Sequence, residues 1–443
     1  MNAIRGALLT FAGDPFLADP KTACRYERDA LVVIENGRIV DCGAADHVAK
    51  RIPPGTPITR YEDALISAGF VDAHVHYPQL PVIGAGGKPL LGWLDAYTFP
   101  AESRYADAEY ARTVAARYFD ENLRHGITTA AVFCTVHPES VDALFSEAVR
   151  RDMRMIAGKV LMDRHAPADL LDTATRGYDE SKALIARWHG RDRLAYAITP
   201  RFAATSTPEQ LDAAAALWRE TPGAYVQSHV AENRAEIDWI ASLFPAHRSY
   251  LDVYESFGLL GPRAVYAHGI HLDDTDLDRL HKTGTALAHC PTSNNFLGSG
   301  HFALHRIRDP KRAVKVGLAT DLGAGTSFSM LRTMQAASEI AQFHGHPLSP
   351  FRAWWLATAG AAGALALDEA IGTVAPGRDA DLVVIDLRST PLIDFRMQRV
   401  DDIEEALAVQ MALGDDRAIR ATYVHGRLAW DREAPDGEIV ARH

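Results

Sequence analysis

Two histidines separated by one residue, His74-Val75-His76, give the chain its most informative spacing. On a β-strand, residues i and i+2 point to one face. Both imidazoles would therefore leave one rigid element in the same direction, as half of a metal site. The run before them, Ala64–Val71, is apolar and broken at Gly69, and reads as the short buried strand that carries them. Further along, His229, His268 and Asp321 each close or follow a short apolar run: Ala224–His229, Ala264–His268 and Val314–Thr320. Alone, His229 or His268 reads as a hydrogen-bonded core histidine, and Asp321, ahead of Gly323 and Gly325, as a helix cap. Together, four imidazole nitrogens and one carboxylate oxygen could converge on one ion. That donor set suits zinc, and also iron or manganese, with a position left for water.

Other residues extend this chemistry. Glu232 lies three residues past His229, where a carboxylate could take a proton from activated water and return it to a leaving nitrogen. The alternative is a surface acid opening the next helix. Arg201, in Thr199-Pro-Arg-Phe202, offers a planar fork of donors to paired acceptors on the edge of a ring, or else makes a structural salt bridge. Gln79 supplies an amide, and Phe202 and Trp93 supply faces on which a flat heterocycle could stack. The apolar stretch from Leu90 to Phe99 is either a lid or a packed helix. His301, His305, His344, His346, His425 and His443 have no comparable placement and read as surface or structural residues. No Gly-x-Ser-x-Gly elbow and no phosphate-binding glycine loop is present.

What could position these groups is legible in the pattern of runs. Candidate strands at 128–133, 155–160, 194–199, 224–229, 264–268, 286–289 and 314–320 alternate with helical stretches at 106–124, 138–151, 208–220 and 273–282. Thr207-Pro208 is an N-cap followed by proline at the first helical turn. With the strand before His74 this makes eight β/α units over about 300 residues, the size of a (β/α)8 barrel. A doubly wound sheet is the alternative. In a barrel, functional groups sit at the C-terminal ends of strands. His74 and His76 would then end the first strand, His229 the fifth, His268 the sixth and Asp321 the eighth. Both ends of the chain read as β, with hairpin signals at Asn36-Gly37 and His425-Gly426. We therefore expect residues 1–66 and 373–443 to form a small composite β-sandwich domain and residues 67–372 the catalytic barrel.

The bulk composition excludes several classes. The chain has 443 residues, 47% hydrophobic and 23% charged, with a formal net charge of -11. No apolar run reaches the roughly 18 residues of a membrane span, and the N-terminus lacks a signal-peptide pattern. The acidic balance argues against a nucleic-acid polymer as partner. Four cysteines without pairing motifs fit a reducing cytoplasm.

The segment Val71-Asp-Ala-His-Val-His76, with His229, His268, Asp321 and the ending Ile371-Gly-Thr-Val-Ala-Pro-Gly-Arg-Asp-Ala-Asp-Leu-Val-Val-Ile385, resembles the amidohydrolase superfamily. More narrowly, His76-Tyr-Pro-Gln79, Trp93–Pro100, Met153–Lys159, Thr199-Pro-Arg-Phe202, His229–Asn233, His289–Asn294 and Thr320–Gly325 resemble the guanine deaminase family. The resemblance implies hydrolytic deamination of guanine to xanthine and ammonia. It implies one zinc ion per subunit, with iron as a substitute, held by His74, His76, His229 and Asp321, and His268 beside it as ligand or proton partner. Glu232 would be the proton shuttle, assisted by Asp321 and His268. Gln79, Arg201, Phe202 and Trp93, with His229 and Glu232, would contact substrate, and the enzyme would be a homodimer. Two-metal members bridge their ions with a modified lysine on the fourth strand. Here that strand leads to Arg201, and Lys159 lies on the third, which favours one metal. Cys290 looks structural. A hydrolase of another aminoheterocycle, such as a triazine, pterin or adenine-like ring, is the alternative, and a metal-free scaffold a remote one.

Overall fold

The structure is a computed structural model in which residues 1–434 are described; His443 and the remainder of the 373–443 segment lie outside them. Eight parallel strands follow one another in chain order: Phe70–His76, Ile127–Phe133, Arg154–Gly158, Leu194–Pro200, Tyr225–Val230, Ala264–His268, Ala286–His289 and Val316–Leu318. A two-residue extension of the third, Val160–Leu161, also pairs with the fourth. The Asp321 N–H donates to the His74 carbonyl at 3.0 Å, tying the end of the eighth strand back to the first. The result is a nearly closed (β/α)8 barrel rather than an open doubly wound sheet.

The helices begin where the sequence supplies caps. Ala108–Arg124 starts after Asp107, Pro208–Glu220 after Thr207 and Asp274–Thr283 after Asp273, each side chain accepting from backbone N–H groups of the first turn. Pro138–Arg151 matches its expected range. The barrel interior is lined by small residues, among them Ala73, Ala131, Ala197, Ala267 and Ala288. Its lower end is plugged by the helix Ala359–Ala364, and the Tyr225 hydroxyl donates to the Leu365 carbonyl at 2.8 Å. Gly317 permits this closeness: a Cβ there would lie 2.7 Å from Ala73 Cβ and 3.0 Å from Ala361 Cα.

Both ends of the chain build one mixed sheet of seven strands. Its order is Arg427–Asp431, Ile419–Val424, Leu382–Asp386, Ile58–Ala68, Asn2–Phe11, Cys24–Glu35 and Arg38–Ala44. Asn36 and Gly37 have φ of 50° and 80°, and His425 and Gly426 have 48° and 76°. Positive φ at both central residues is the tight hairpin turn that each pair signals. One face of the sheet packs on the barrel through Leu65, Val383 and Ile385. The other buries its own cluster, including Ile4, Val32, Ile66, Leu382 and Tyr423. The sandwich expected from the sequence is thus one continuous sheet curled over its own core, with the Tyr61 and Tyr423 hydroxyls 2.7 Å apart.

The apolar run 64–71 is not one strand. It divides at Gly69 between the terminal sheet, ending at Ala68, and the first barrel strand, starting at Phe70. A Cβ at Gly69 would lie 2.3 Å from Thr128 Oγ1, so the crossing from one sheet to the other needs glycine. Among the described residues, no helix is long and apolar enough to cross a membrane.

Candidate active site

The first barrel strand changes phase before its end. Val71 and Ala73 belong to the barrel interior and Val75 to the outer core, and the pairing with the second strand slips between Asp72 and Val75. This irregularity lets His74 and His76 follow Ala73 into the barrel mouth. There they meet His229 near the end of the fifth strand, His268 at the end of the sixth and Asp321 three residues past the eighth. One ligand-type atom each from His74, His229 and His268 lies within 4.8 Å of the others, and the same holds for His74, His76 and Asp321. His76 Nε2 and His229 Nε2 are 3.1 Å apart, and Asp321 Oδ1 is 3.3 Å from His74 Nε2 and 3.7 Å from His76 Nε2. His268 and Asp321 adopt positive φ, 71° and 47°. Such backbone is costly for residues other than glycine and concentrates at functional sites.

The arrangement fits a cation. Burial, ahead of the mutual repulsion of neighbouring rings, holds the His74, His76 and His229 imidazolium forms well below their ordinary range, leaving neutral rings with lone pairs. His229 Nδ1 is 2.6 Å from the Arg201 carbonyl, which can only accept. The His229 proton is thereby committed to Nδ1 and Nε2 is left as a donor atom for a metal, the usual outer-shell device of metal-binding histidines. His268 Nδ1 is fixed in the same way by Asn294 Oδ1 at 2.8 Å. The buried His74 Nε2 has no hydrogen-bond partner, and a cation would satisfy it. Asp72 holds the frame from below: its carboxyl accepts from the Thr320 N–H at 2.9 Å and from the Thr320 hydroxyl, and burial pushes it up to about 7.

Glu232 stands beside this cluster, Oε2 lying 3.4 Å from His268 Nε2, while Oε1 accepts from the Ser299 hydroxyl at 2.8 Å. Burial, reinforced by the Asp321 charge, raises its carboxyl to about 8, against the pull of Ser299. Burial likewise raises Asp321 to about 6. Glu232 is therefore a buried acid, not the surface helix-opening acid. That capping role falls to Glu236, which accepts from the Glu232 and Asn233 N–H groups at 3.0 and 3.1 Å.

A pocket opens onto the cluster and is also lined by Gln79, Trp93, Arg201 and Phe202. Nine of the sequence-predicted site residues thus line one pocket, and His74 joins the cluster without lining it. Arg201 Nη1 donates to Glu102 Oε2 at 2.5 Å, and Gln79 Nε2 to Glu102 Oε1 at 3.3 Å. Arg201 therefore makes the buried salt bridge that was one of its two readings, and it also lines the pocket. The stretch 90–100 forms packed helical turns, with Leu90, Trp93, Leu94, Thr98 and Phe99 buried and the Trp93 indole N–H donating to the Ala85 carbonyl at 2.6 Å.

Sequence reasoning assigned no role to Glu102, Asn294, Ser299 or Asp72. An acid inside the apolar run around Phe99 is the one signal that could have singled out Glu102. Lys159 points away from the site into a buried ion pair with Asp172, and lies 3.2 Å from Glu180. The Cys290 thiol is close enough to His268 and Asp321 to be a ligand. Burial raises it, however, and it donates to the Ala288 carbonyl at 3.5 Å, as a packed neutral thiol does. His305 and His346 stack with centroids 4.1 Å apart, and His425 Nδ1 pairs with Asp152 at 2.8 Å, joining the last hairpin to the barrel.

The model of the amidohydrolase family matches residues 65–429. The chain belongs to the amidohydrolase family. Within it, this amidohydrolase is 49% identical to the guanine deaminase of Escherichia coli (strain K12) over 98% of each chain. A solved structure of E. coli guanine deaminase superposes with a TM-score of 0.95, covering 98% of this chain and 100% of that one at 47% identity. The guanine deaminase of C. acetobutylicum, solved with guanine bound in its active site, superposes with a TM-score of 0.86 over 96% of this chain and 99% of that one, at 27% identity.

Proposed function

We propose that this amidohydrolase converts guanine and water to xanthine and ammonia at one divalent ion, zinc being the metal that the resemblance implies. The observation that carries the reading is the single cavity joining the histidine–aspartate cluster and Glu232 to the Arg201–Gln79 edge. The close likeness to guanine deaminases over the whole chain supports the choice of ring.

His74, His76, His229 and Asp321 would hold the ion, with His268 as a further ligand or proton partner. When bound, such an ion lowers the pKa of water from about 15.7 toward 7, so that hydroxide is available at neutral pH. Addition of water at C2 and loss of ammonia require two proton transfers. Glu232 is placed to take the first proton and pass it to a ring nitrogen, its second oxygen steadied by Ser299. Asp321 and His268 would carry the other proton to the departing amine. Arg201 and Gln79 would bind the polar ring edge, while Phe202 and Trp93 wall the flat faces. A ring that leaves the Arg201 donors unmet would lose about 1–3 kcal/mol or more.

The test is a panel of guanine, adenine, cytosine and a pterin, followed by ammonia release, with metal content measured on the same sample. Guanine turnover with close to one ion per chain is expected. Turnover of another ring but not guanine would overturn the substrate and spare the metal chemistry, and no turnover of any ring would favour the scaffold. Light scattering tests the homodimer that we propose from the resemblance.

A further inference from the structure

We propose that Glu102 is a positioning residue that sets the hydrogen-bond polarity of the ring-reading edge, so that the pocket selects rings carrying an N–H beside a carbonyl. This rests on the proposed ring deamination for which ligand atoms face that edge. Glu102 is fully buried at the end of the turn Phe99–Glu102. Its Oε2 accepts from Arg201 Nη1 at 2.5 Å and its Oε1 from Gln79 Nε2 at 3.3 Å. An ionised carboxylate only accepts, so both neighbours must turn hydrogens toward it.

For the guanidinium that is no choice, but for the amide it is. With one hydrogen of its NH2 donated to Glu102, the Gln79 amide keeps its nitrogen on the carboxylate side and its oxygen free to accept. Gly323 leaves room for that oxygen: its φ is 118°, and a Cβ there would lie 2.2 Å from Gln79 Oε1. No hydrogen bond to Gln79 Oε1 is made among the described residues, nor is any made by Arg201 Nη2. The pocket edge therefore presents an acceptor, Gln79 Oε1, beside the remaining Arg201 donors. Its complement is a ring N–H beside an oxygen, the N1–H and C6=O pair of a 6-oxopurine. Adenine has the reverse order, an acceptor N1 beside a donating amine, and purine has neither group. Glu102 also offsets the Arg201 charge without touching the ligand, so that the guanidinium can bind a neutral ring. A salt bridge serving only to hold the fold would affect all ligands alike.

The experiment measures binding of hypoxanthine and purine, which lack the 2-amino group, to the metal-loaded wild type and Glu102→Gln by calorimetry. The wild type should prefer hypoxanthine. In Glu102→Gln that preference should narrow by about tenfold or more, because the amide is no longer held in one orientation, with purine binding changed much less. Equal losses for both ligands, or a wild type without the preference, would overturn the proposal. Should Glu102→Gln not fold, Gln79→Met removes the acceptor directly and must narrow the preference too; a full preference in that variant overturns it. Binding does not need turnover, so the two readings fail separately. A wild type that does not deaminate guanine, but whose preference narrows in Glu102→Gln, loses only the proposed function. One that deaminates guanine with an unchanged ratio loses only the role of Glu102.

Discussion

Replacing Glu232 by glutamine removes the proton acceptor with little change of shape. The amide oxygen can still accept from the Ser299 hydroxyl, which is 2.8 Å from Oε1, and the ligands of the proposed ion are untouched. The amide cannot take up or return a proton at neutral pH. A positioned general acid–base contributes about 10²–10⁴-fold, and this one is asked to serve both the attack and the protonation of the ring. We expect kcat for guanine to fall by about 10³-fold or more, which at 1.36 kcal/mol per decade is about 4 kcal/mol of barrier. KM and metal content should change little. The pH profile supplies a second arm. Burial and Asp321 raise the Glu232 carboxyl from its ordinary 4.5 to about 8, and a bound cation brings it down from there. The acidic limb of kcat/KM that reports ionisation of Glu232 should therefore be present in the wild type and missing from the residual activity of Glu232→Gln. Initial rates of guanine loss and ammonia release between pH 5 and 9 check both arms. A variant that keeps more than a tenth of the wild-type kcat, or the same acidic limb, refutes the proton-shuttle reasoning.

Chelation should make stability depend on pH. Above neutrality the His74, His76 and His229 imidazoles, held well below their ordinary range by burial, are uncharged in folded and unfolded chains alike, whereas Glu232, raised from 4.5 to about 8, holds a proton that the unfolded chain has released. Stability of the metal-free protein is then fully present below the unfolded value and is lost as pH rises through about 8. Its thermal midpoint should fall between pH 7 and 9 while that of the metal-loaded protein stays nearly level, and a rise in the chelated sample would contradict this. Gly323→Ala places a Cβ in left-handed backbone 2.2 Å from Gln79 Oε1. We expect a cost of about 1–2 kcal/mol from the backbone alone and a raised KM for guanine, and an unchanged KM would show that Gln79 does not meet the ring. Lys159→Met breaks a buried ion pair, a loss worth about 3–5 kcal/mol, and should lower the melting temperature without changing the metal-to-protein ratio. A fall in that ratio would mean that Lys159 serves the metal.

The site was legible wherever chemistry and local pattern coincide. Pro138–Arg151 and Pro208–Glu220 announce themselves by a proline in the first turn, and the two hairpins by paired residues with positive φ. Strand ends located His229 and His268 because short apolar runs close on them. The run 64–71 misled because burial looks the same in two sheets, and only the approach of Thr128 reveals that Gly69 is a crossing point. The phase slip between Asp72 and Val75 was hidden for a related reason: His74 and His76 share a face whether or not the strand bulges before them. Glu102 escaped notice because its partners, Gln79 and Arg201, are 23 and 99 residues away. Nothing in spacing links a lone acid in an apolar turn to a guanidinium just past the fourth barrel strand. Ser299 and Asn294 belong to the same class, loop and helix residues recognisable only once the barrel brings them against Glu232 and His268.

One ion held at the barrel mouth would make this chain a guanine-hydrolysing enzyme. This is tested most directly by stripping the protein with a chelator and adding zinc back in measured steps while ammonia release from guanine is followed. No turnover is expected in the stripped protein, followed by a linear recovery that breaks at one ion per chain. Full turnover without metal, or a break at two ions per chain, would contradict it.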